Sequence, residues 1–362
     1  MDYDAWLCSV PGLYWNGQEQ LIRYFGSAKA VYEAGDAALE IPGRKKSSWI
    51  EAVRKCRSDS FVRSVEKTMA AEDIHFCSRK SPLFPGALSK IGDCPVGFFY
   101  KGKLPAPDKR LIAVVGARGC TSYGAVMARQ ITRQLVRAGF GIVSGMALGI
   151  DACAQEAALE AGGTSVAVLG CGVDRCYPPG NIGLYTELCK GGCLISEFPC
   201  SSSPLRIHFP LRNRLISGLS EAVVVIEARK KSGALITADY ALEQGRDVYA
   251  LPGRVGDPLS EGCNDLIAQG SGIITSPEDL VCALTGADPE EWKKSAAVSA
   301  PSFAPGSVLK KVYDRIGTDP VGVDTLEKET GLPVNKLYGI LQELEMEDLI
   351  IHTPGNRYMK KT

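Results

Sequence analysis

The chain has 362 residues, a length typical of two or three domains. Apolar residues make up 45% of it and charged residues 23%, a balance that excludes wholesale disorder and a fibrous repeat. The 41 lysines and arginines match the 41 aspartates and glutamates, so affinity for nucleic acid or for a membrane surface can come only from a local patch.

The N-terminus and the hydropathy pattern predict a cytoplasmic protein. Asp2 and Asp4 stand where a secretory signal carries basic residues. No stretch of the sequence approaches the roughly 18 consecutive apolar residues of a membrane span.

The number and spacing of the cysteines and histidines do not predict a metal site or a disulfide. The sequence has 13 cysteines, an odd number without a C-x-x-C pair, and three widely separated histidines (His75, His208 and His352). We therefore expect no disulfide, no metal and no cofactor, and we interpret the cysteines as reduced, small core residues.

The first third of the chain predicts a helical domain followed by a connector. Residues 1–75 contain short helical segments that are interrupted at Val10-Pro11-Gly12-Leu13 and at Ile41-Pro42-Gly43-Arg44, a spacing that suggests two related helical hairpins. Residues 76–110 are rich in Pro and Gly and are interpreted as a connector.

Residues 111–285 predict a doubly wound α/β domain. Short, continuously apolar runs alternate there with segments of helical period, as expected of a mostly parallel sheet that helices cover on both faces. The predicted strands are 111–115, 141–143, 165–169, 193–195, 222–226 and 247–251.

The C-terminal part predicts a linker and a winged helix. Residues 286–306 lack apolar periodicity, which is typical of a flexible linker. In residues 307–362, two helical stripes are separated by a turn at Gly331-Leu332-Pro333, and a hairpin closes around Pro354-Gly355-Asn356. Helix, turn, helix and hairpin form a winged-helix pattern.

Three Gly-rich turns follow predicted strands of the central domain. Ligands of open parallel sheets bind beyond the carboxyl ends of the strands, and a capped helix start, such as the one expected at Thr121, suits a phosphate. One such turn often serves tight packing alone, whereas three on one edge favour a binding site. The candidate residues are Gly116 and Arg118 in the first turn, Ser144 and Gly145 in the second, and Ser232, Gly233 and Thr237 in the third.

The run from Pro204 to Arg214 is the most distinctive part of the sequence. It contains no acidic residue, and its candidate residues are Arg206, Phe209, Arg212, Asn213 and Arg214. Arginine forks match phosphate oxygens, and an aromatic ring beside them offers a stacking face for a base, so the run predicts binding of a single strand. Internal pairing with Glu197, Glu227 or Asp239 is the alternative for Arg212 and Arg214, and a core position is the alternative for Phe209. We expect Arg118 and Arg206 to face solvent together.

These motifs resemble those of the DNA-processing protein A family, also called DprA or Smf. The resemblance covers the whole central domain and, more loosely, both flanks. It is carried by Val114-Val115-Gly116-Ala117-Arg118, Ser144-Gly145, Gly149-Ile150-Asp151, Ser196-Glu197, Phe209-Pro210, Arg212-Asn213-Arg214, Ser232-Gly233-Ala234-Leu235-Ile236-Thr237 and Pro252-Gly253. Two departures are Gln155, where the family usually has His, and Ala117, where it usually has Ser.

The resemblance implies a Rossmann-like domain that binds single-stranded DNA without catalysing a reaction. It further implies a homodimer that helps to load the RecA recombinase onto strands coated by single-strand-binding protein, notably in natural transformation of competent cells. By position, the DNA contacts would include Arg118, Arg206, Phe209, Asn213 and the turns at Ser144-Gly145 and Ser232-Gly233.

Two enzyme classes are the alternatives. A nucleotide-processing enzyme of the phosphoribohydrolase type needs a Pro-Gly-Gly-x-Gly-Thr loop, whereas this chain has Pro252-Gly253-Arg254. A nicotinamide oxidoreductase needs a third glycine after Gly170-Cys171-Gly172, and none follows at the required place.

Both flanking domains resemble appendages of the family. In a helix-hairpin-helix or SAM-like domain, Pro-Gly hairpins expose N–H groups to duplex phosphates, and Lys45 and Lys46 follow such a hairpin, but we favour a purely structural domain. The second helix of the winged-helix pattern carries Glu343, Glu345, Glu347 and Asp348 against Lys336. Phosphates would repel this face, so we interpret the winged helix as a protein-contact or regulatory module.

Overall fold

The structure is a computed structural model that describes residues 2–39, 48–292, 307–317, 320–347 and 349–360. The hairpin predicted at 41–44, Lys45 and Lys46, linker residues 293–306 and Asp348 lie outside the described residues. None of the helices in the described ranges combines the length and the apolar character that crossing a bilayer requires.

Short helices build the N-terminal domain. They are α1 (Tyr3–Cys8), α2 (Trp15–Phe25), α3 (Ala28–Glu33), α4 (Ser48–Cys56) and α5 (Asp59–Ala71). Gly26 ends α2 with a φ of 89°, and Ser58 caps α5 by accepting a hydrogen bond from the amide of Phe61. The apolar faces of these helices enclose a small core around Trp6 and Leu21.

The central domain is built on a nine-stranded sheet with the order β1-β2-β6-β5-β4-β3-β7-β8-β9. The strands are β1 (His75–Ser78), β2 (Gly97–Gly102), β3 (Leu111–Val115), β4 (Gly141–Ser144), β5 (Ser165–Val168), β6 (Cys193–Ser196), β7 (Ala222–Val225), β8 (Asp247–Ala250) and β9 (Gly272–Ile273). Strands β3 to β9 are parallel to one another, whereas β2 pairs antiparallel with both β6 and β1. The predicted doubly wound, mostly parallel fold is thereby confirmed.

The segment 76–110 differs from the connector that we expected, because it contributes β2 and most of β1 to the sheet. Strand β2 pairs with the edge of β6, and its Phe98 and Phe99 side chains are fully buried. Both strands are short and neighbour Pro- and Gly-rich turns, so the sequence pattern there is that of a loop.

Helices cover both faces of the sheet. They are α6 (Ser122–Arg137), α7 (Ile150–Glu160), α8 (Ile182–Gly191), α9 (His208–Leu219), α10 (Gly233–Glu243), α11 (Glu261–Ala268) and α12 (Pro277–Thr285). One core packs beneath α9 and α10, around Leu215 and Ala238, and the other beneath α6 and α7, around Ile131 and Ala154. Seven of the 13 cysteines are buried, as expected of small core residues.

The C-terminal domain confirms the predicted winged helix. Its elements are α13 (Val308–Tyr313), β10 (Val321–Gly322), α14 (Val323–Thr330), α15 (Val334–Met346), β11 (Ile350–Thr353) and β12 (Arg357–Lys360). The sequence pattern did not reveal α13 or β10, which are only a few residues long. In the predicted linker, residues 289–292 are helical, and the Trp292 ring lies 5.5 Å from the Arg137 guanidinium.

Candidate nucleic-acid interface

A cleft of about 380 Å³ opens beyond the carboxyl ends of β3 and β7. These neighbouring strands send the chain to opposite sides of the sheet, because β3 leads to β4 and β7 leads to β8. Such a switch point is where open α/β sheets bind ligands. Of the predicted site residues, the cleft lining brings together Gly116, Arg118, Phe209, Arg212, Asn213, Ser232, Gly233 and Thr237.

Arg118 and Phe209 form the accessible centre of this cleft. Arg118 is exposed, and its guanidinium lies 5.7 Å from the centre of the half-buried Phe209 ring. The ring packs against Tyr177 at a centroid distance of 5.4 Å and lies so close to Gly170 that a Cβ there would come within 2.9 Å of it. The arrangement offers a cation and an aromatic surface at one place.

Arg212 and Asn213 line the cleft, but their side chains are hydrogen-bonded to the backbone of the surrounding turns. Arg212 donates to the carbonyls of Gly145, at 2.9 Å, and Val168. Asn213 donates to the Gly233 carbonyl at 3.1 Å and accepts from Arg212 Nε. Burial lowers the pKa of Arg212 to about 10, and the Asp151 carboxylate opposes this shift. The pair therefore links the turn at Gly145 to the turn at Gly233.

Ser144, Gly145 and Arg214 are buried, which removes them from the contact surface that we predicted. The Ser144 hydroxyl donates to the Val114 carbonyl at 2.7 Å, and the Gly145 amide donates to Asp151 at 3.0 Å. Arg214 is 1% exposed and pairs with Glu197 and Asp93, so the internal pairing considered as its alternative is the observed arrangement.

The start of α6 is occupied by a carboxylate of the chain itself. Glu227 accepts hydrogen bonds from the amide of Thr121, at 2.9 Å, and from its hydroxyl. A Cβ at Gly124 would lie 2.4 Å from the Glu227 carboxyl carbon, so only glycine leaves room for this contact. We expected the amides at the start of α6 to be free to bind a phosphate. The Thr121 amide is not free, because it donates a hydrogen bond to Glu227.

Amides of the second turn, at Ser144 and Gly145, also donate hydrogen bonds to side chains of the protein itself. Asp151 accepts from the amides of Gly145 and Ala147, and Gln155 accepts from the amide of Met146 at 3.0 Å. Burial raises the pKa of Asp151 above its ordinary value. Gln155, the departure from the family pattern, thus has a structural role, and the third turn, at Ser232 and Gly233, is the more accessible one.

Two exposed arginines, Arg118 and Arg229, line the cleft. Arg206 is exposed between the exposed Leu205 and Ile207, three residues before Phe209, and has no hydrogen bond or ion pair within the described ranges. The sequence reasoning missed Arg229, which lines the cleft. The signal was a run of three cations between β7 and Ser232. Arg206, Lys230 and Lys231 are exposed but do not belong to the described cleft lining, so the predicted place of Arg206 beside Arg118 stays a prediction.

Two matches to known families cover most of the chain. Residues 75–285 match the family described as DNA recombination-mediator protein A, and residues 296–356 match the DprA winged helix domain. Protein Smf of Escherichia coli (strain K12) is 38% identical over 287 residues, covering 78% of this chain and 76% of the relative. DNA processing protein DprA of Streptococcus pneumoniae is 39% identical over 241 residues, covering 64% and 84%.

Solved structures agree with these matches. The X-ray structure of DprA from Streptococcus pneumoniae aligns with a TM-score of 0.67 at 33% identity, over 78% of this chain and 97% of that one. DNA processing protein A from Helicobacter pylori aligns with a TM-score of 0.54 at 28% identity, over 59% and 97%. The residues that carry the sequence resemblance lie in the matched segment. The chain belongs to the DNA recombination-mediator protein A family, whose members include DprA and Smf.

Proposed function

We propose that this protein binds single-stranded DNA in the cleft between the β3 and β7 turns and acts as a recombination mediator, not as an enzyme. The observation that carries the proposal is the position of Arg118 over Phe209 at the switch point of the sheet. A base stacked on an aromatic side chain gains about 1 to 3 kcal/mol, and a guanidinium beside it can hold the adjoining phosphate.

The charge around the cleft supports an anionic ligand. The cleft lining contains three arginines, Arg118, Arg212 and Arg229, and Asp151 is the single acid among the described lining residues, where it is buried. Reading a duplex requires a helix or ribbon that enters the major groove. The described residues that line this cleft instead form a concave surface on turns and on α9 and α10. The Helicobacter pylori relative was solved to show its single-stranded DNA binding mode, which supports the same ligand here.

The family description supports the further role. The description names a recombination mediator. From the family resemblance we propose further that the protein acts as a homodimer in the cytoplasm and helps to load the RecA recombinase onto strands coated by single-strand-binding protein, notably in natural transformation. This step is testable by following RecA filament assembly on coated single strands, which we expect the protein to accelerate.

Binding to labelled oligonucleotides across a salt series tests the central proposal. We expect the single strand to bind more tightly than the duplex of the same sequence, with little dependence on base sequence. The logarithm of the affinity should fall linearly with the logarithm of the salt concentration, because each phosphate contact releases counterions. Tighter binding of the duplex would contradict the proposal.

A further inference from the structure

The ring of Tyr177 extends the aromatic surface of the cleft beyond Phe209. The two ring centroids lie 5.4 Å apart and the ring planes are inclined by 40°, a geometry in which aromatic side chains are in contact. Tyr177 packs against the apolar cluster that contains Met146 and Leu184, yet it is only half-buried, as Phe209 is. Each of the two rings therefore has a packed part and an accessible part.

The loop that carries Tyr177 continues the row of strand ends at which the cleft lies. It runs from the end of β5 to the short 3-10 turn Pro179–Asn181 that precedes α8. In the sheet, β4 separates β5 from β3. Phe209 bridges this interval, because its ring contacts both Arg118 of the β3 turn and Gly170 of the β5 loop. A DNA strand that leaves Phe209 along this row next reaches Tyr177.

Hydrogen bonds on both sides of Tyr177 hold its loop in place. Asn181 donates from Nδ2 to the carbonyls of Met146, at 2.9 Å, and Ala147, at 3.1 Å, which ties the loop to the turn after β4. Asp174 accepts from the amide of Ser201 at 2.8 Å and from its hydroxyl at 3.2 Å, which ties the loop to the segment after β6. The ring is thus positioned before a ligand arrives, and such preorganisation lowers the entropic cost of binding.

The side chains near Tyr177 suit a nucleotide. Arg175, two residues before it, is exposed and can pair with a phosphate. Asp174, the only acidic residue of the sequence between β5 and α8, already has the hydrogen bonds described above. Leu148 is 46% exposed and lies against the turn, since a Cβ at Gly180 would be 3.6 Å from Leu148 Cδ2. Cation, ring and apolar side chain match the phosphate, base and sugar of one nucleotide.

We propose that Tyr177 forms a second base-binding subsite, which takes the base of the nucleotide next to the one stacked on Phe209. The inference rests on the proposed function and names the direction in which the single strand continues beyond the cleft. Every base has a flat face, so stacking on Tyr177 requires no particular sequence. Two adjoining rings also favour an unpaired strand, because the bases of a duplex stack on each other and do not offer their faces to the protein.

The affinity of the full chain for labelled oligothymidylates of increasing length tests the subsite. Tyr177→Leu keeps an apolar side chain against the core but removes the ring. The shortest oligonucleotide that binds should keep its parent Kd in this variant, whereas longer ones should bind about five-fold or more weakly, the lower end of the range for one stacked base. Tyr177→Phe should bind like the parent at every length. Tyr24→Leu, at an exposed tyrosine on α2, is the matched control.

Photochemical crosslinking tests the subsite in the unaltered protein, so it does not depend on how a variant folds. A single strand that carries 5-iodouracil is irradiated in complex with the full chain, and mass spectrometry locates the adducts. We expect adducts at both Phe209 and Tyr177 and none at Tyr24.

Three results would overturn the inference. An equal loss of affinity at every length in Tyr177→Leu would make Tyr177 only a support for the Phe209 ring. No loss at any length, or an adduct at Phe209 without one at Tyr177, would exclude a base at this place. Each of these results leaves the proposed function intact, whereas a parent protein that binds no single strand would refute the proposed function and the subsite with it.

Discussion

The guanidinium of Arg118 lies 5.7 Å from the centre of the Phe209 ring, although the two residues come from different segments of the chain. Phe209 is in turn held by Tyr177 and by the close approach of Gly170. These contacts define the place of the ring, and we expect the exposed Arg118 to move from it to a phosphate when DNA binds. This division between a fixed ring and a movable cation accounts for the two predictions that follow.

Replacing Arg118 by Ala should weaken binding of single strands to a similar degree for all base sequences. The side chain is exposed and contacts the Phe209 ring, so its loss removes a phosphate contact without disturbing the core. The slope of log affinity against log salt should become shallower by about 1. Arg63→Ala, which removes an exposed arginine from α5, is the matched control and should leave both quantities unchanged.

Phe209→Ala should reduce affinity for single strands by about 1 to 3 kcal/mol, the usual loss when a stacking ring is removed. Phe209→Trp should retain most of the affinity, because an indole also offers a stacking face. Fluorescence anisotropy measures the affinity, and thermal melting checks that the fold persists. Phe61→Ala, at another half-buried phenylalanine, is the control, and an equal loss of affinity there would argue against stacking.

The fold of the central domain could be predicted because its strands are continuous apolar runs that stand out between helical segments. The predicted strand 111–115 agrees with β3, and the prediction at 222–226 differs from β7 by one residue. The β1 and β2 strands could not be found in the same way. Their stability comes from pairing with β6, a contact between residues far apart in the chain.

The site was harder to predict because residue type does not reveal which polar side chains form ion pairs or hydrogen bonds inside the protein. Arg118 and Arg214 both stand in motifs rich in Gly or Arg, yet Arg118 is exposed and Arg214 is buried with Glu197 and Asp93. Likewise, Thr121 caps α6 as expected, but the carboxylate beside it comes from the end of β7. Such contacts join segments distant in sequence and leave no local pattern.

Arg214→Ala should destabilise the fold by about 3 to 5 kcal/mol, because it leaves the carboxylate of Glu197 buried without its partner. The Trp15 ring of the N-terminal domain, 5.2 Å from the guanidinium, would lose its contact too. Urea unfolding measures the loss, and Arg206→Ala is the exposed control, expected within about 0.5 kcal/mol of the parent. The double variant Arg214→Met with Glu197→Gln should recover part of the stability. If Arg214→Ala unfolds like the parent, the ion pair is not structural.

The contact between the N-terminal and central domains should weaken in acid through His208. Its Nδ1 donates to the Gly170 carbonyl at 3.1 Å, so its Nε2 accepts from the Tyr14 hydroxyl at 3.2 Å. Burial lowers the pKa of His208 below its ordinary 6.5. The unfolded chain therefore takes up the proton first, and the contribution of His208 to stability is complete above about pH 6.5 and is lost as the pH falls towards the folded pKa.

Denaturation midpoints across this pH range test the role of His208. His208→Gln keeps a donor and an acceptor but does not titrate, so it should flatten this part of the pH profile. His75→Gln, at an exposed histidine on β1, should leave the profile as it is in the parent. A parent-like slope in His208→Gln would assign the pH dependence to other groups.

The winged helix should add nothing to duplex binding. Its α15 presents the exposed Glu343 and Glu345, with the exposed Glu347 directly after the helix, against a single exposed Lys336. Phosphates would be repelled from such a surface. A fragment of residues 307–362 has a core of its own around Leu337 and Leu341, so its binding can be measured separately. We expect no duplex binding by this fragment, and a gain when Glu343 and Glu345 are both replaced by Lys. Duplex binding by the unaltered fragment would refute the interpretation of this domain as a protein-contact or regulatory module.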